Sequence, residues 1–249
     1  MADLLLVVDF DGTVYRGDEP VRFYARQVAE SLPSAQAEAM LSSFERYLAV
    51  GVRAADSCED MVEAAALRES YDAWGAAVHL AQRVHGVPNE IVEASFAASR
   101  IHMLESGCEL EPVTALLDTL REVRGLARVV LATNSPPEGL MPVLGLLGVT
   151  DLFDEVVMGV GKPDGLRRYL RAELGPDLCE QSWRLFSVGD HYRNEIEPAV
   201  EIGAGSGYID RFGRADGPAT AVAATAEGVL PTLLAWADDP QAVVRAATN

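Results

Sequence analysis

Lysine is almost missing from this sequence. Of 20 Lys plus Arg residues in a chain of 249, Lys162 is the one lysine and the other 19 are arginine. Coding bias accounts for arginine use across the chain, but not for the lysine that remains. A compact ammonium is not interchangeable with a planar guanidinium, so Lys162, within Gly161-Lys162-Pro163-Asp164, reads as position-specific. Cysteine is scarce as well. Cys58, Cys108 and Cys179 lie far apart with no CxxC spacing, which argues against a disulfide framework or a zinc site and for a reducing, cytoplasmic setting. No apolar run approaches the ~20 residues of a membrane span. The run LLLVV near the start has no basic segment before it and leads straight into acidic residues, so it does not read as a signal peptide. Internal repeats and low-complexity stretches are also lacking; the Ala-rich segment 219–226 is short. Positive charge as a whole is in deficit. A formal net charge of −18 repels nucleic acid and anionic membranes. It would equally repel a phosphorylated metabolite, so an anion site here needs local positive charge or a metal.

What is present suits a folded chain. An apolar fraction of 49 % is ordinary for a globular protein, and the length allows one large domain or a core with a smaller one. Residues 16–110 read as helices, without two-residue alternation. Apolar residues at 21, 24, 25, 28 and 32 form a helical stripe. Pro33-Ser34 reads as a break and an N-cap, and Met40, Leu41, Phe44, Tyr47 and Leu48 form the next stripe. Three more follow at Cys58 to Leu67, Trp74 to Val84 and Ile91 to Met103.

From Glu111 the pattern alternates. Helices are expected at Val113 to Val123, Leu140 to Leu147, Asp164 to Leu174, Asn194 to Val200 and Leu230 to Ala237. Strands are expected at Arg128 to Ala132, Glu155 to Met158, Leu185 to Val188 and Gly207 to Ile209. Such alternation indicates an α/β fold with a doubly wound parallel sheet. Leu4 to Val8, apolar throughout, supplies a further strand covered on both faces. The expected organisation is therefore an α/β core from residues 1–15 and 111–249, with an all-helical domain of residues 16–110 inserted.

Ligands of open parallel sheets sit at the carboxyl ends of the strands. Three polar groups lie at such ends: Asp9-Phe10-Asp11-Gly12-Thr13, Thr133-Asn134-Ser135 and Gly189-Asp190. Lys162 comes just after the strand that begins at Glu155. If the first strand persists through Asp11, Asp9 and Asp11 leave the same face. Two such carboxylates repel each other unless a cation or a shared proton sits between them. Each group alone is equally a turn, a helix cap or a loop.

DFDGT, LATNS, GKPD and the stretch Gly189-Asp190-His191-Tyr192-Arg193-Asn194-Glu195 resemble, in order, the four motifs of the haloacid dehalogenase-like superfamily, in its phosphatase branch. The resemblance covers residues 4–15 and about 111–210. It implies a Rossmann-like core and a helical cap, inserted after the first motif, that closes over the site and selects substrate. It implies that Asp9 attacks phosphorus and that Asp11 is the acid/base. Thr133, Asn134 and nearby backbone amides would hold the phosphoryl group, and Lys162 would neutralise it and orient the nucleophile. Mg²⁺ would be held by Asp9, the Asp11 carbonyl, Asp190 and Glu195. Glu195 stands where the family usually has Asp, which leaves open whether it ligates directly, through water, or not at all. Mg²⁺ takes hard oxygen ligands and keeps some waters, and a carboxylate nucleophile splits hydrolysis into two easier steps.

The activity so implied is hydrolysis of a small phosphate monoester. A dehalogenase would lack the second acid of the first motif, here Asp11. Phosphonate-cleaving relatives use a cap lysine, and residues 16–110 contain none. A sugar-phosphate mutase of the β-phosphoglucomutase kind and a non-catalytic phospho-ligand-binding relative remain open, as does the oligomeric state. His79, His85 and His102 lack the i, i+4 spacing of a helical metal pair. His191 lies inside the fourth motif and could face the site; Arg16, Arg22 and Arg26 follow the nucleophile closely and any could reach substrate, the arginines' default being a solvated helix face.

Overall fold

An unbroken apolar strand needs cover on both faces, and Leu4–Val8 has it as β1, with every residue buried. The computed structural model describes residues 4–105 and 107–247. After β1 the chain passes through a two-residue strand, β2 (Tyr15–Arg16), into five helices: α1 (Glu19–Ala29), α2 (Ser34–Val50), α3 (Met61–Arg68), α4 (Ala73–His79) and α5 (Asn89–His102). It returns through β3 (Glu111–Pro112), antiparallel to β2, to α6 (Thr114–Val123) and β4 (Ala127–Ala132). Next come α7 (Pro137–Leu146), β5 (Glu155–Val157), α8 (Asp164–Leu174) and β6 (Leu185–Gly189). The chain ends through α9 (Glu197–Val200), β7 (Gly205–Ile209), β8 (Ala221–Ala223), α10 (Ala226–Asp238) and α11 (Pro240–Ala247).

The six-stranded sheet runs β5-β4-β1-β6-β7-β8, and every adjacent pair is parallel. From β1 the chain builds outward through β4 and β5, then crosses back to the other side of β1 for β6, β7 and β8. That reversal places a topological switch point at the carboxyl ends of β1 and β6, where such sheets open a crevice. The sheet packs on helices chosen by sequence periodicity. In α8, Leu166, Leu170 and Leu174 recur every fourth residue and join Leu5, Val7, Val130 and Leu185 in one core. Burying each of these leucines contributes roughly 1.5–3 kcal/mol.

The chain divides into two compact units: the described residues of Met1–Arg16, Glu111–Arg211 and Ala215–Asn249 form one, and those of Gly17–Leu110 with Phe212–Arg214 form the other. In the helical unit Val21, Tyr24, Ala25 and Val28 of α1 pack with Met40, Phe44 and Tyr47 of α2. Phe212 packs against the same cluster, its ring 4.9 Å from that of Tyr47.

Several boundaries differ from the sequence reading. Pro33, not Ser34, occupies the cap position of α2, and Ser34 is its first helical residue. The stripe at Cys58 to Leu67 starts as a helix only at Met61, where the Asp60 carboxylate accepts from the Val62 and Glu63 amides. Trp74 to Val84 splits into α4 and a wider turn over Leu80–Val84. Strands β2, β3 and β8 and helix α11 were not anticipated. Among the described residues no helix is long and apolar enough to cross a membrane.

Candidate active site

Strand β1 does not persist through the first acidic motif. The Asp9 amide still donates to the Val188 carbonyl (2.9 Å), extending the pairing with β6 by one residue. The chain then turns: the Thr13 and Val14 amides both donate to the Phe10 carbonyl, at 3.3 and 2.9 Å. Gly12 sits in this turn at φ +77°, a backbone conformation that glycine adopts without penalty. A Cβ at Gly12 would lie 2.2 Å from Asp190 Oδ2, so the missing side chain is what admits the Asp190 carboxylate. Asp9 and Asp11 therefore do not leave one face of a continuous strand, and the two acids take different partners.

Asp9 is buried and pairs with Lys162, whose Nζ donates to Oδ1 at 2.6 Å. Its other oxygen, Oδ2, accepts from the Thr13 hydroxyl at 3.4 Å. Asp11 is held elsewhere: Tyr15 OH donates to Oδ1 at 2.6 Å and Ser135 Oγ to Oδ2 at 3.2 Å.

The ends of β4 and β5 position the lysine. The Thr133 amide donates to the Val157 carbonyl (2.9 Å), and Thr133 Oγ1 accepts from the Ser135 amide (3.0 Å). Asn134 Oδ1 accepts from the backbone amide of Lys162 at 2.7 Å, tying the second motif to the third. Beyond Gly161 the chain enters α8 through a cis Lys162–Pro163 bond.

Glu195 is buried, and its Oε1 accepts from Lys162 Nζ at 2.9 Å while its Oε2 accepts from the His191 amide at 2.9 Å. A Cβ at Gly189 would lie 2.5 Å from Glu195 Cγ, so this glycine makes room for the longer acid. His191 caps the turn: its Nδ1 accepts from the Asn194 amide at 3.3 Å. Arg22 and Arg26 pair with Glu45 and Glu19, at 2.8 and 2.6 Å, and Arg16 pairs with Glu227.

One ammonium thus stands between two buried carboxylates. Burial works against the Lys162 charge, but Asp9 and Glu195 together outweigh it and raise its pKa above the usual lysine value. Burial pushes the Asp9 carboxyl up to about 7 against the pull of Lys162, with Glu195 and Asp11 adding to the rise. The cluster carries more negative charge than its lysine balances.

Two acidic side chains on one ammonium leave room for a further cation. Among the described residues no group of three or more His, Cys, Asp or Glu side chains is arranged to hold a metal by itself. Mg²⁺ commonly takes only one or two carboxylates and completes its shell with water and substrate oxygens. Asp9, the Asp11 carbonyl and Asp190 fit that chemistry. Glu195 has both oxygens engaged by Lys162 and His191.

A family model described as haloacid dehalogenase-like hydrolase matches residues 4–177, which is more than half of the chain. The chain belongs to this family. It is a hydrolase with the family's α/β core. Similar solved structures agree on the fold. A predicted phosphoglycolate phosphatase from Haemophilus somnus 129PT aligns at a TM-score of 0.61 and 15% identity, over 94% of this chain and 99% of that one. A putative HAD-hydrolase from Bacillus subtilis, bound to magnesium, aligns at 0.58 and 12% identity, over 94% and 99%. A HAD family hydrolase from Deinococcus radiodurans R1, with bound phosphate and sodium, aligns at 0.52 and 17% identity, over 95% and 96%. At these identities the likeness speaks to the fold alone. No curated protein matches the chain in sequence.

The structure brings Asp9, Lys162 and Glu195 into direct contact, with Asn134 on the lysine backbone. Sequence reasoning missed Thr13, Tyr15 and Ser135 as individual site residues. Thr13 and Ser135 lay inside motifs already singled out, whereas a tyrosine ending an apolar stretch gave no signal beyond core packing.

Proposed function

We propose that this hydrolase is a Mg²⁺-dependent phosphatase that cleaves a small phosphate monoester through an aspartyl-phosphate on Asp9. The observation that carries the reading is Lys162, the chain's one lysine, buried between Asp9 and Glu195 beside the sheet's switch point. An ammonium held there offers charge to an incoming phosphoryl group and keeps the Asp9 carboxylate in place.

In the first step an Asp9 oxygen bonds to phosphorus as the ester P–O bond breaks, and Asp11 gives a proton to the departing alkoxide. In the second, Asp11 takes a proton from a water whose oxygen bonds to phosphorus, the Asp9–phosphorus bond breaks, and inorganic phosphate leaves. The Thr133 hydroxyl and neighbouring amides hold phosphoryl oxygens, with Asn134 acting through the Lys162 backbone. When bound at Asp9, Asp190 and the Asp11 carbonyl, Mg²⁺ supplies charge neutralisation at the phosphoryl oxygens. Magnesium in the Bacillus subtilis structure and phosphate in the Deinococcus radiodurans structure support both ligand classes by analogy of fold. We read the helical unit as the cap that selects the substrate.

A panel of phosphorylated metabolites assayed for released phosphate, with Mg²⁺ and with chelator, tests the proposal. Metal-dependent release from at least one ester is expected. Binding without turnover across the panel would reject it, and isomerised product without phosphate release would assign the mutase reaction instead.

A further inference from the structure

A carboxylate on a turn is free to rotate about two side-chain bonds, yet proton transfer needs it within hydrogen-bond reach of one atom. Asp11 lies on such a turn, and its two oxygens are held from two different strand ends. Tyr15 OH reaches Oδ1 at 2.6 Å. Ser135 Oγ reaches Oδ2 at 3.2 Å. Both donors are buried, at 2% and 1% exposure, and both are themselves fixed. The Tyr15 ring packs 5.1 Å from that of Phe10, and its backbone pairs with Pro112 in β3. The Val113 amide closes the same ladder on the Val14 carbonyl at 2.9 Å. Ser135 donates its amide to Thr133 Oγ1 (3.0 Å) and accepts the Gly159 amide on its carbonyl (2.9 Å). A phenylalanine would fill the Tyr15 position equally well; the hydroxyl is what needs an acceptor, and Asp11 is that acceptor.

We propose that Tyr15 and Ser135 are positioning residues that hold the Asp11 carboxylate in line for proton transfer, an inference that rests on the phosphatase reading above. A rigid holder of this kind sets the geometry of a catalytic group without touching the substrate.

The test uses leaving groups. A proton donor matters most when the departing oxygen is strongly basic, so glycerol phosphate needs Asp11 more than p-nitrophenyl phosphate does. Because kcat/KM reports loss of transition-state stabilisation from free enzyme and substrate, it is the quantity to compare. For the full-length Tyr15→Phe and Ser135→Ala variants with Mg²⁺, kcat/KM on glycerol phosphate is expected to fall at least about tenfold, and on p-nitrophenyl phosphate less than about threefold. Asp11→Asn should show the same selectivity, and adding Tyr15→Phe to it should change little, since the two act through one group. Equal losses on both esters, or no loss on either, would overturn the positioning role while leaving the phosphatase reading intact. A wild-type protein inert on both esters and on the metabolite panel, or an Asp9→Asn variant as active as wild type, overturns that reading itself and the inference with it.

Discussion

Replacing Lys162 by methionine removes the cation between Asp9 and Glu195 while keeping most of the side-chain volume. The ammonium makes contacts of 2.6 and 2.9 Å with side chains only 10% and 4% exposed, and is itself 1% exposed. Its loss leaves two buried carboxylates facing each other, a situation that typically costs about 3–5 kcal/mol. The cost has a ceiling, because a carboxylate can shed its charge by binding a proton. For a carboxyl that titrates near 4 when unfolded, that costs about 5 kcal/mol at pH 7.5. Protonation also gives the deficit a pH dependence: it should shrink by roughly 1.4 kcal/mol per pH unit for each proton the folded variant holds beyond those held by folded wild type, whose own Asp9 carboxyl is raised to about 7. Urea denaturation of wild type and Lys162→Met, followed by circular dichroism at pH 7.5 and 5.5 in the presence of chelator, measures both quantities. Adding Glu195→Leu to Lys162→Met should recover much of the loss, since an apolar group replaces one of the stranded charges. A deficit below about 1 kcal/mol at pH 7.5, unchanged at pH 5.5, would refute the claim that this lysine holds together a buried charge cluster.

Other expectations follow from the same contacts. Asp9→Asn should abolish phosphate release yet leave the circular dichroism spectrum unchanged; appreciable residual hydrolysis counts against Asp9 as nucleophile. Asp11→Asn should slow kcat/KM on an alkyl phosphate by roughly 10²–10⁴, the range for a lost general acid–base, and a loss of only a few-fold rejects that role. The Asp9 carboxyl is raised from 3.8 unfolded to about 7 folded, so the native state holds its proton more tightly. Its contribution to stability is complete below pH 3.8 and is lost as pH rises through about 7. In chelator, wild type should therefore gain about 1–2 kcal/mol relative to Asp9→Asn between pH 7.5 and 5.5, read by urea denaturation; an unchanged difference contradicts the shift. Leu170→Ala, at a 1% exposed position of the sheet–helix core, should cost about 2–5 kcal/mol by the same method.

Much of the fold was legible because its signals are long. The all-apolar LLLVV, the four-residue leucine spacing of α8 and the stripe at Val21, Tyr24, Ala25 and Val28 each needed one element and one buried face. Short elements were hidden for a matching reason. β8 is three residues drawn from an alanine-rich segment, a composition with little strand preference, and it exists because the edge of β7 offers it a parallel partner. β2 and β3, two residues each, are too short to show alternation. At the site, motif order pointed to Asp9, Thr133, Lys162 and Asp190. Spacing alone did not say that Glu195 would use both oxygens on Lys162 and His191, nor that Asp11 would turn to Tyr15. Those facts depend on where the strand stops and the turn begins, which is decided by the pairing of β1 with β6 and by Gly12.

The lone lysine has a practical consequence. An acylating reagent that seeks ε-amines finds a single target in the whole sequence, and in the folded protein that target is 1% exposed. Acylation consumes the neutral amine, and Asp9 and Glu195 hold Lys162 charged, so the rate at which such a reagent marks Lys162 reports exposure of the amine together with loss of its proton. Any compound that settles over the amine should slow the marking in proportion to its occupancy.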